Sequence, residues 1–219
     1  MIQAFILDMD GIIVDTEVIQ LEAFRLFLKE HDVKFSNNFI ESFVGYSIHD
    51  NMLQINKHLL AGKELDVENS VKRRNDIYVN LLSNEDLTPL PGILELISHC
   101  QGNNLKLALT TSSEWRQVET IMSRIANNYK TLFDVIVTGD DVINKKPAPD
   151  IYVNTVEKLN LPAQSCIAFE DSRAGVESAV AAGVTCFAVR NRYFDDIQLK
   201  KADRLINSVK EALENRFWV

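Results

Sequence analysis

The sequence predicts an α/β fold, a parallel sheet with helices on both faces, carrying an inserted helical domain. Three observations lead there. Short apolar runs of buried-strand length recur along the chain. Amphipathic helical stretches alternate with them in the second half, which is the pattern of a sheet covered on both sides. And from Leu7 to Leu105 the chain shows only helical character, over a stretch far longer than one crossover needs.

The first run is Ile2–Leu7. The interval that follows contains three helical stretches, Val18–Lys29, Ile48–Leu60 and Val67–Leu82, the second opened by Ser47 and Asp50 in capping-box spacing. We therefore place an inserted domain at residues 16–86, with Ser83–Pro91 as the return linker. The main domain then comprises residues 1–15 and 87–219. Four more strands are expected at Leu105–Leu109, Val135–Val137, Cys166–Phe169 and Thr185–Val189. Between them fall a helix over Glu114–Asn127, with Val118, Ile121, Met122 and Ile125 on one face, and a helix opened by Pro149 and ended before Pro162. An alanine-rich helix starts at Asp171 or Ser172, and Gly183 closes it.

Composition narrows the function classes. The chain has 219 residues, 46% hydrophobic, enough for a sizeable core, and a formal net charge of −8. No basic stripe exists to hold nucleic acid or an anionic membrane, and an anionic substrate would need local positive charge. Cys100, Cys166 and Cys186 have no CxxC spacing and read as buried free thiols in a reducing compartment. No run is long enough to span a membrane, and no basic-then-apolar leader opens the chain. The expectation is a cytoplasmic protein.

Ligands of open α/β sheets bind beyond the carboxyl ends of the strands, so the residues after each strand are the ones to inspect. After the first come Asp8 and Asp10, with Gly11 to turn the chain. Two carboxylates that close repel unless a cation compensates, and an all-oxygen site favours hard Mg²⁺. After the second come Thr110-Thr111-Ser112-Ser113, leading into a helix N-terminus where an anion can sit. The third is followed by Thr138-Gly139-Asp140-Asp141 and then Lys145-Lys146-Pro147. The fourth ends in Glu170-Asp171. Each group has a plainer reading: Thr111 and Ser112 as helix caps, the lysines as a solvated loop pair, the acids as partners of a positive helix end. All of them at strand ends, in this order, favour a site.

With these motifs in place, the chain resembles the haloacid dehalogenase superfamily, in its β-phosphoglucomutase-like branch of small phosphatases and phosphomutases. DMDGIIVDTE, ALTTSS, KKPAPDIY and FEDSRAGVESAVAAG fall where that family places them, over essentially the whole length. The resemblance implies a Rossmann-like core with a four-helix cap. It implies Asp8 as nucleophile toward phosphorus, Asp10 as general acid and then base, and Thr111, the N–H of Ser112 and Lys146 as phosphoryl-oxygen contacts. It implies Mg²⁺ bound by Asp8, the carbonyl of Asp10 and Asp171, with Glu170 supporting the metal site. Dehalogenases of the superfamily lack the second acid, so Asp10 favours phosphoryl transfer.

The inserted domain is where substrate contacts are expected. Mutases carry a His where this chain has Gln20, and an Arg where it has Ile48 after Gly45-Tyr46-Ser47. His49 stands next to that place, and Arg74 matches a cap lysine of the mutases; its alternative is a solvated helix face. Gln20, Ser47, His49 and Arg74 are therefore the cap candidates. Glu17 completes the DTE ending common among the phosphatases. The function read from these residues is a Mg²⁺-dependent phosphatase of a small phosphorylated metabolite, a sugar or polyol phosphate, acting as a monomer. The alternative is a β-phosphoglucomutase-type phosphomutase, and more remotely a silent or receiver-like phosphoryl-binding domain.

Overall fold

The computed structural model describes residues 1–59, 64–126 and 128–218. They divide into two compact units, Met1–Asp15 with Leu87–Val219, and Thr16–Asp86. In chain order the first unit opens with β1 (Ala4–Leu7), and the second holds α1 (Glu17–Glu30), α2 (Asn37–Glu41), α3 (Ile48–His58) and α4 (Val67–Leu82). Back in the first unit come α5 (Ile93–Asn103), β2 (Lys106–Thr110), α6 (Trp115–Ile125), β3 (Val135–Val137) and α7 (Asp150–Leu159). They are followed by β4 (Cys166–Glu170), α8 (Arg173–Ala181), β5 (Thr185–Val189), β6 (Arg204–Ile206) and α9 (Val209–Asn215).

The six strands form one sheet in the order β3-β2-β1-β4-β5-β6, and every pairing is parallel. β1 lies between β2 and β4, where the strand order reverses and the crevice beyond the carboxyl ends opens. Alternation along β1 covers both faces. Ala4 and Ile6 join Ala108, Ala168 and Ala188 under Ile151, Tyr152, Leu159, Val176 and Ala179 of α7 and α8. Phe5 turns to the other face, its ring 4.8 Å from that of Trp218 and 5.9 Å from that of Phe169. Sheet alanines facing bulky helix residues let α7 and α8 approach closely.

The strand boundaries shift in instructive ways. β2 begins at Lys106, whose backbone pairs with Ala4 while its ammonium reaches the carbonyl of Leu159 at 2.7 Å. The strand is thus shifted one residue from the expected Leu105–Leu109, ending on the buried Thr110. β4 runs on through Glu170, a carboxylate inside a fully buried strand. β6 is a three-residue edge strand opened by the exposed Arg204, and its periodicity is too short to read. The helices α5 and α9 also lie outside the elements the sequence predicts. The last residues of two expected helices, Leu60 and Asn127, lie outside the described residues.

The helical unit is held by α1 against α4, with α3 also on α4 and α2 on α1. Ser36 caps α2, accepting from the N–H of Phe39 at 3.2 Å. Five residues are too few for a visible period. Ser47 caps α3 by accepting from the N–H of Asp50 at 3.0 Å while donating to its carboxylate at 2.7 Å. In the first unit, Leu90 N–H donates to the carbonyl of Ile13 at 2.8 Å. That bond joins the chain just before the insertion to the chain just after it. Among the described residues, no helix is long and apolar enough to cross a membrane.

Candidate active site

A tight turn follows β1. Gly11 N–H donates to Val14 O at 2.8 Å, and Ile13 N–H to Met9 O at 2.9 Å, with Gly11 at φ +80. Any side chain at Gly11 would collide with Asp171, since an added Cβ would lie 1.9 Å from its Oδ2. Glycine is needed here for both backbone and space.

Lys146 is the centre of the arrangement. Its ammonium donates to Asp8 Oδ1 and to Glu170 Oε1, each at 2.7 Å, with 6% of the Lys146 side chain exposed, 10% of Asp8 and none of Glu170. Tyr152 donates its hydroxyl to the same Glu170 Oε1 at 2.6 Å. Desolvation works against the lysine's charge, but the attraction of Asp8 and Glu170 outweighs it and raises the Lys146 pKa. Burial, opposed by Lys146 and reinforced by Glu170 and Asp10, pushes the Asp8 carboxyl up to about 8. One lysine does not balance this much buried negative charge. The plainer reading of a solvated lysine pair fails for one of the two: Lys145 is exposed and Lys146 is sequestered.

Asp8, Glu170 and Asp171 each offer a carboxylate oxygen, and these oxygens lie within 4.8 Å of one another. Glu170 Oε2 is buried and has no hydrogen-bond partner in the protein. Orphaned buried carboxylate oxygens are costly. An all-oxygen donor set with one buried acceptor lacking a donor suits a hard divalent cation. Gly175 presses from beneath, where a Cβ would lie 1.9 Å from Oε2. Asp10, expected to contribute through its carbonyl, uses its carboxylate differently: Oδ2 accepts from the Ser113 hydroxyl at 3.0 Å.

The hydroxyl cluster after β2 is not the helix cap that its composition suggests. α6 is capped by Glu114, whose N–H donates to Gln117 Oε1 at 3.1 Å. Thr111 is buried, gives its N–H to Val137 O at 3.0 Å, and accepts from Ser113 N–H on its hydroxyl at 3.1 Å. The loop after β3 closes on this one: Gly139 N–H donates to Ser113 O at 2.8 Å, and a Cβ on Gly139 would fall 2.3 Å from Ser112 O. Thr111, Ser112, Asp8, Asp10, Lys146, Glu170 and Asp171 thus all stand at or after the carboxyl ends of β1 to β4.

The four candidates of the helical unit do not share a common setting. Ser47 is an exposed cap. His49 is exposed, with Nε2 3.8 Å from a Glu68 carboxylate oxygen. Arg74, expected as a substrate contact with a solvated helix face as the alternative, is fully buried, so the alternative does not hold. It donates to the side-chain oxygen of Gln20 and, at 2.8 Å, to its carbonyl. Its guanidinium carbon lies 4.5 Å from the Phe24 ring centroid and 4.9 Å from that of Tyr78. Its aromatic neighbours and its charge-assisted bonds to Gln20 make it a core group of this unit.

The family model for haloacid dehalogenase-like hydrolases matches residues 5–189, from β1 through the end of β5. The chain belongs to that family. The phosphorylated carbohydrates phosphatase of Thermotoga maritima is 31% identical over 96% of this chain and 100% of its own length. The β-phosphoglucomutase of Bacillus subtilis is 31% identical over 85% of this chain and 82% of its own. Among solved structures, a variant of CbbY from Rhodobacter sphaeroides in complex with xylulose-(1,5)bisphosphate superposes with a TM-score of 0.86 at 26% identity, covering 96% of each chain. This haloacid dehalogenase-like protein is an enzyme of the phosphatase type.

Three residues at the site escape sequence reasoning. Ser113 sits in the hydroxyl cluster, and nothing in the sequence sets it apart from its neighbours. Tyr152 reads as an apolar helix-face residue, because nothing local announces that its hydroxyl meets Glu170. Asn191, in the loop after β5, donates to Asp171, and no motif marks it.

Proposed function

We propose that this chain is a Mg²⁺-dependent phosphatase of a small phosphorylated sugar or polyol, working through a phosphoryl group carried on Asp8. The observation that carries the reading is the buried Asp8–Lys146–Glu170 ion cluster with its orphaned Glu170 oxygen, next to a second acid, Asp10. Asp8 attacks phosphorus, and the ester oxygen leaves with a proton from Asp10. Asp10 then takes a proton from water, which attacks phosphorus, breaks the bond to Asp8 and releases phosphate. Thr111, the N–H of Ser112 and Lys146 hold the phosphoryl oxygens, and Lys146 supplies local positive charge at the site of a chain whose net charge is −8. Asp8, Asp171 and the Asp10 carbonyl, with Glu170 beside them, would hold Mg²⁺, which offsets charge between the nucleophile and the phosphoryl group.

The substrate class follows from relatives named for phosphorylated carbohydrates and from the likeness to a structure holding a bisphosphorylated sugar. We assign substrate choice to the helical insertion, acting as a cap that excludes water. The mutase reading draws on the Bacillus subtilis relative. Against it stand Ile48, which cannot grip a distal phosphate as an Arg would, and the neutral Gln20, already engaged by Arg74. The test is phosphate release from a panel of phosphorylated metabolites with Mg²⁺ and after chelation. β-Glucose-1-phosphate with catalytic glucose-1,6-bisphosphate belongs in that panel. We expect Mg²⁺-dependent phosphate release that Asp8→Asn abolishes. Isomerisation far outrunning phosphate release would establish the mutase instead, and undiminished turnover by a folded Asp8→Asn protein would overturn the mechanism.

A further inference from the structure

The loop after β5 reaches into the acidic cluster through one side chain. β5 pairs with β4 in a register that sets Ala188 opposite Glu170, so the residues just beyond β5 come level with Asp171. The loop is tied down at its start, where Arg190 N–H donates to Ile206 O at 2.9 Å. Phe194 further along packs on the core beneath α7 and α8.

All the polar capacity of Asn191 that matters here is used, and used in one sense. Its Oδ1 accepts from the N–H groups of Tyr193 and Phe194, at 2.8 and 3.0 Å. Its Nδ2 donates to the Asp171 carbonyl at 2.7 Å and to Asp171 Oδ2 at 3.2 Å. The amide cannot be turned over, since two backbone donors face one end and two acceptors the other. Asp171 Oδ2 is confined from a second side by Gly11, where no Cβ fits.

We propose that Asn191 is a positioning residue for cation binding: it clamps the Asp171 carboxylate, and so makes the fifth strand's loop part of the metal site. The inference rests on the reading of Asp8, Glu170 and Asp171 as a divalent-cation site. The physical basis is that carboxylate ligands lose affinity when the groups orienting them are removed, commonly by about 10- to 100-fold. Asn191 touches neither the attacking nor the leaving oxygen in the scheme above, so its effect belongs to binding and not to the chemical step.

Serine separates this role from loop maintenance. Its hydroxyl preserves a turn of the kind Asn makes with the backbone two residues on but is too short to reach Asp171. The experiment measures Mn²⁺ binding by the electron-spin resonance of free Mn²⁺, together with the Mg²⁺ concentration for half-maximal activity. The proteins are wild type, Asn191→Ser and Asn191→Ala. We expect both constants to rise about 10-fold or more in each variant, while kcat at saturating Mg²⁺ returns to within a few-fold of wild type. The Tm of chelated Asn191→Ser should stay close to wild type, with that of Asn191→Ala lower. Mn²⁺ binding within about twofold of wild type in both variants would overturn the proposal, whatever their Tm. A wild-type protein that binds no Mn²⁺ removes the cation reading itself and this inference with it, an outcome that the wild type alone decides.

Discussion

Metal-free protein should lose stability as pH rises from 5.5 to 8, because folding lifts the Asp8 carboxyl to about 8 from an unfolded value of 3.8. Across that window the unfolded chain has released the Asp8 proton and the folded chain keeps it. The folded state therefore binds more protons, and stability declines with increasing pH. One proton over 2.5 pH units is worth about 3 kcal/mol, or a fall in Tm of roughly 6–12 °C for a domain of this size. Few other shifted groups intrude. The lowered carboxylates Glu30, Asp141, Glu177 and Asp196 act at more acidic pH, and the raised Lys146 and Tyr152 at more alkaline pH. The assay is urea unfolding in excess chelator at several pH values, with Asp8→Asn as the control. The variant cannot titrate at this position, so its curve should be flatter by that amount, and at pH 8 it should be the more stable protein. Parallel pH profiles for wild type and Asp8→Asn would refute the reasoning.

Other perturbations probe neighbouring parts of the same structure. Lys146→Met leaves the buried Glu170 carboxylate without its ammonium, and should destabilise the protein by about 3–5 kcal/mol in denaturant titrations; a change below 1 kcal/mol would mean that the cluster is not truly desolvated. Asp10→Asn should slow sugar-phosphate hydrolysis by roughly 10²- to 10⁴-fold, and p-nitrophenyl phosphate far less, since that leaving group needs no proton. Equal losses on both substrates would contradict the acid role. Gly175→Ala gains helix propensity of about 1 kcal/mol but drives a Cβ to 1.9 Å from Glu170 Oε2. Overpacking of about 1–3 kcal/mol should offset that gain and lower the affinity for Mn²⁺. A variant more stable than wild type with unchanged Mn²⁺ binding would show that Glu170 can yield.

How much could be read in advance depends on how local each signal is. β1 to β5 are legible because each is a mainly apolar run bounded by turn residues, and Ser172 and Gly183 mark α8 by capping chemistry that acts over a few residues. β6 is invisible because Arg204-Leu205-Ile206 becomes a strand only by pairing with β5. The same limit holds at the candidate site. Asp8, Asp10, Thr111, Lys146, Glu170 and Asp171 can be named because strand ends concentrate them. Tyr152 and Asn191 meet their partners across 18 and 20 residues of chain. Arg74 shows the limit from the other side: its neighbours Lys72, Arg73 and Asp76 suggest a wet face, yet the helix turns this one cation into the interior. Its burial depends on Phe24 and Gln20 of α1.

The hydrogen bond from Leu90 to Ile13 makes the insertion a detour with a closed doorway. Its two ends are fastened together on the sheet-bearing unit, so that unit feels the excursion mainly as the entropy of a long loop. Such entropy grows only logarithmically, about 0.6 kcal/mol for each doubling of length. Lengthening, shortening or exchanging residues 16–86 should therefore disturb the sheet very little. A lineage built this way can exchange the insertion while inheriting the sheet unchanged, and an engineer can transplant one relative's insertion onto another's sheet at the same two joints.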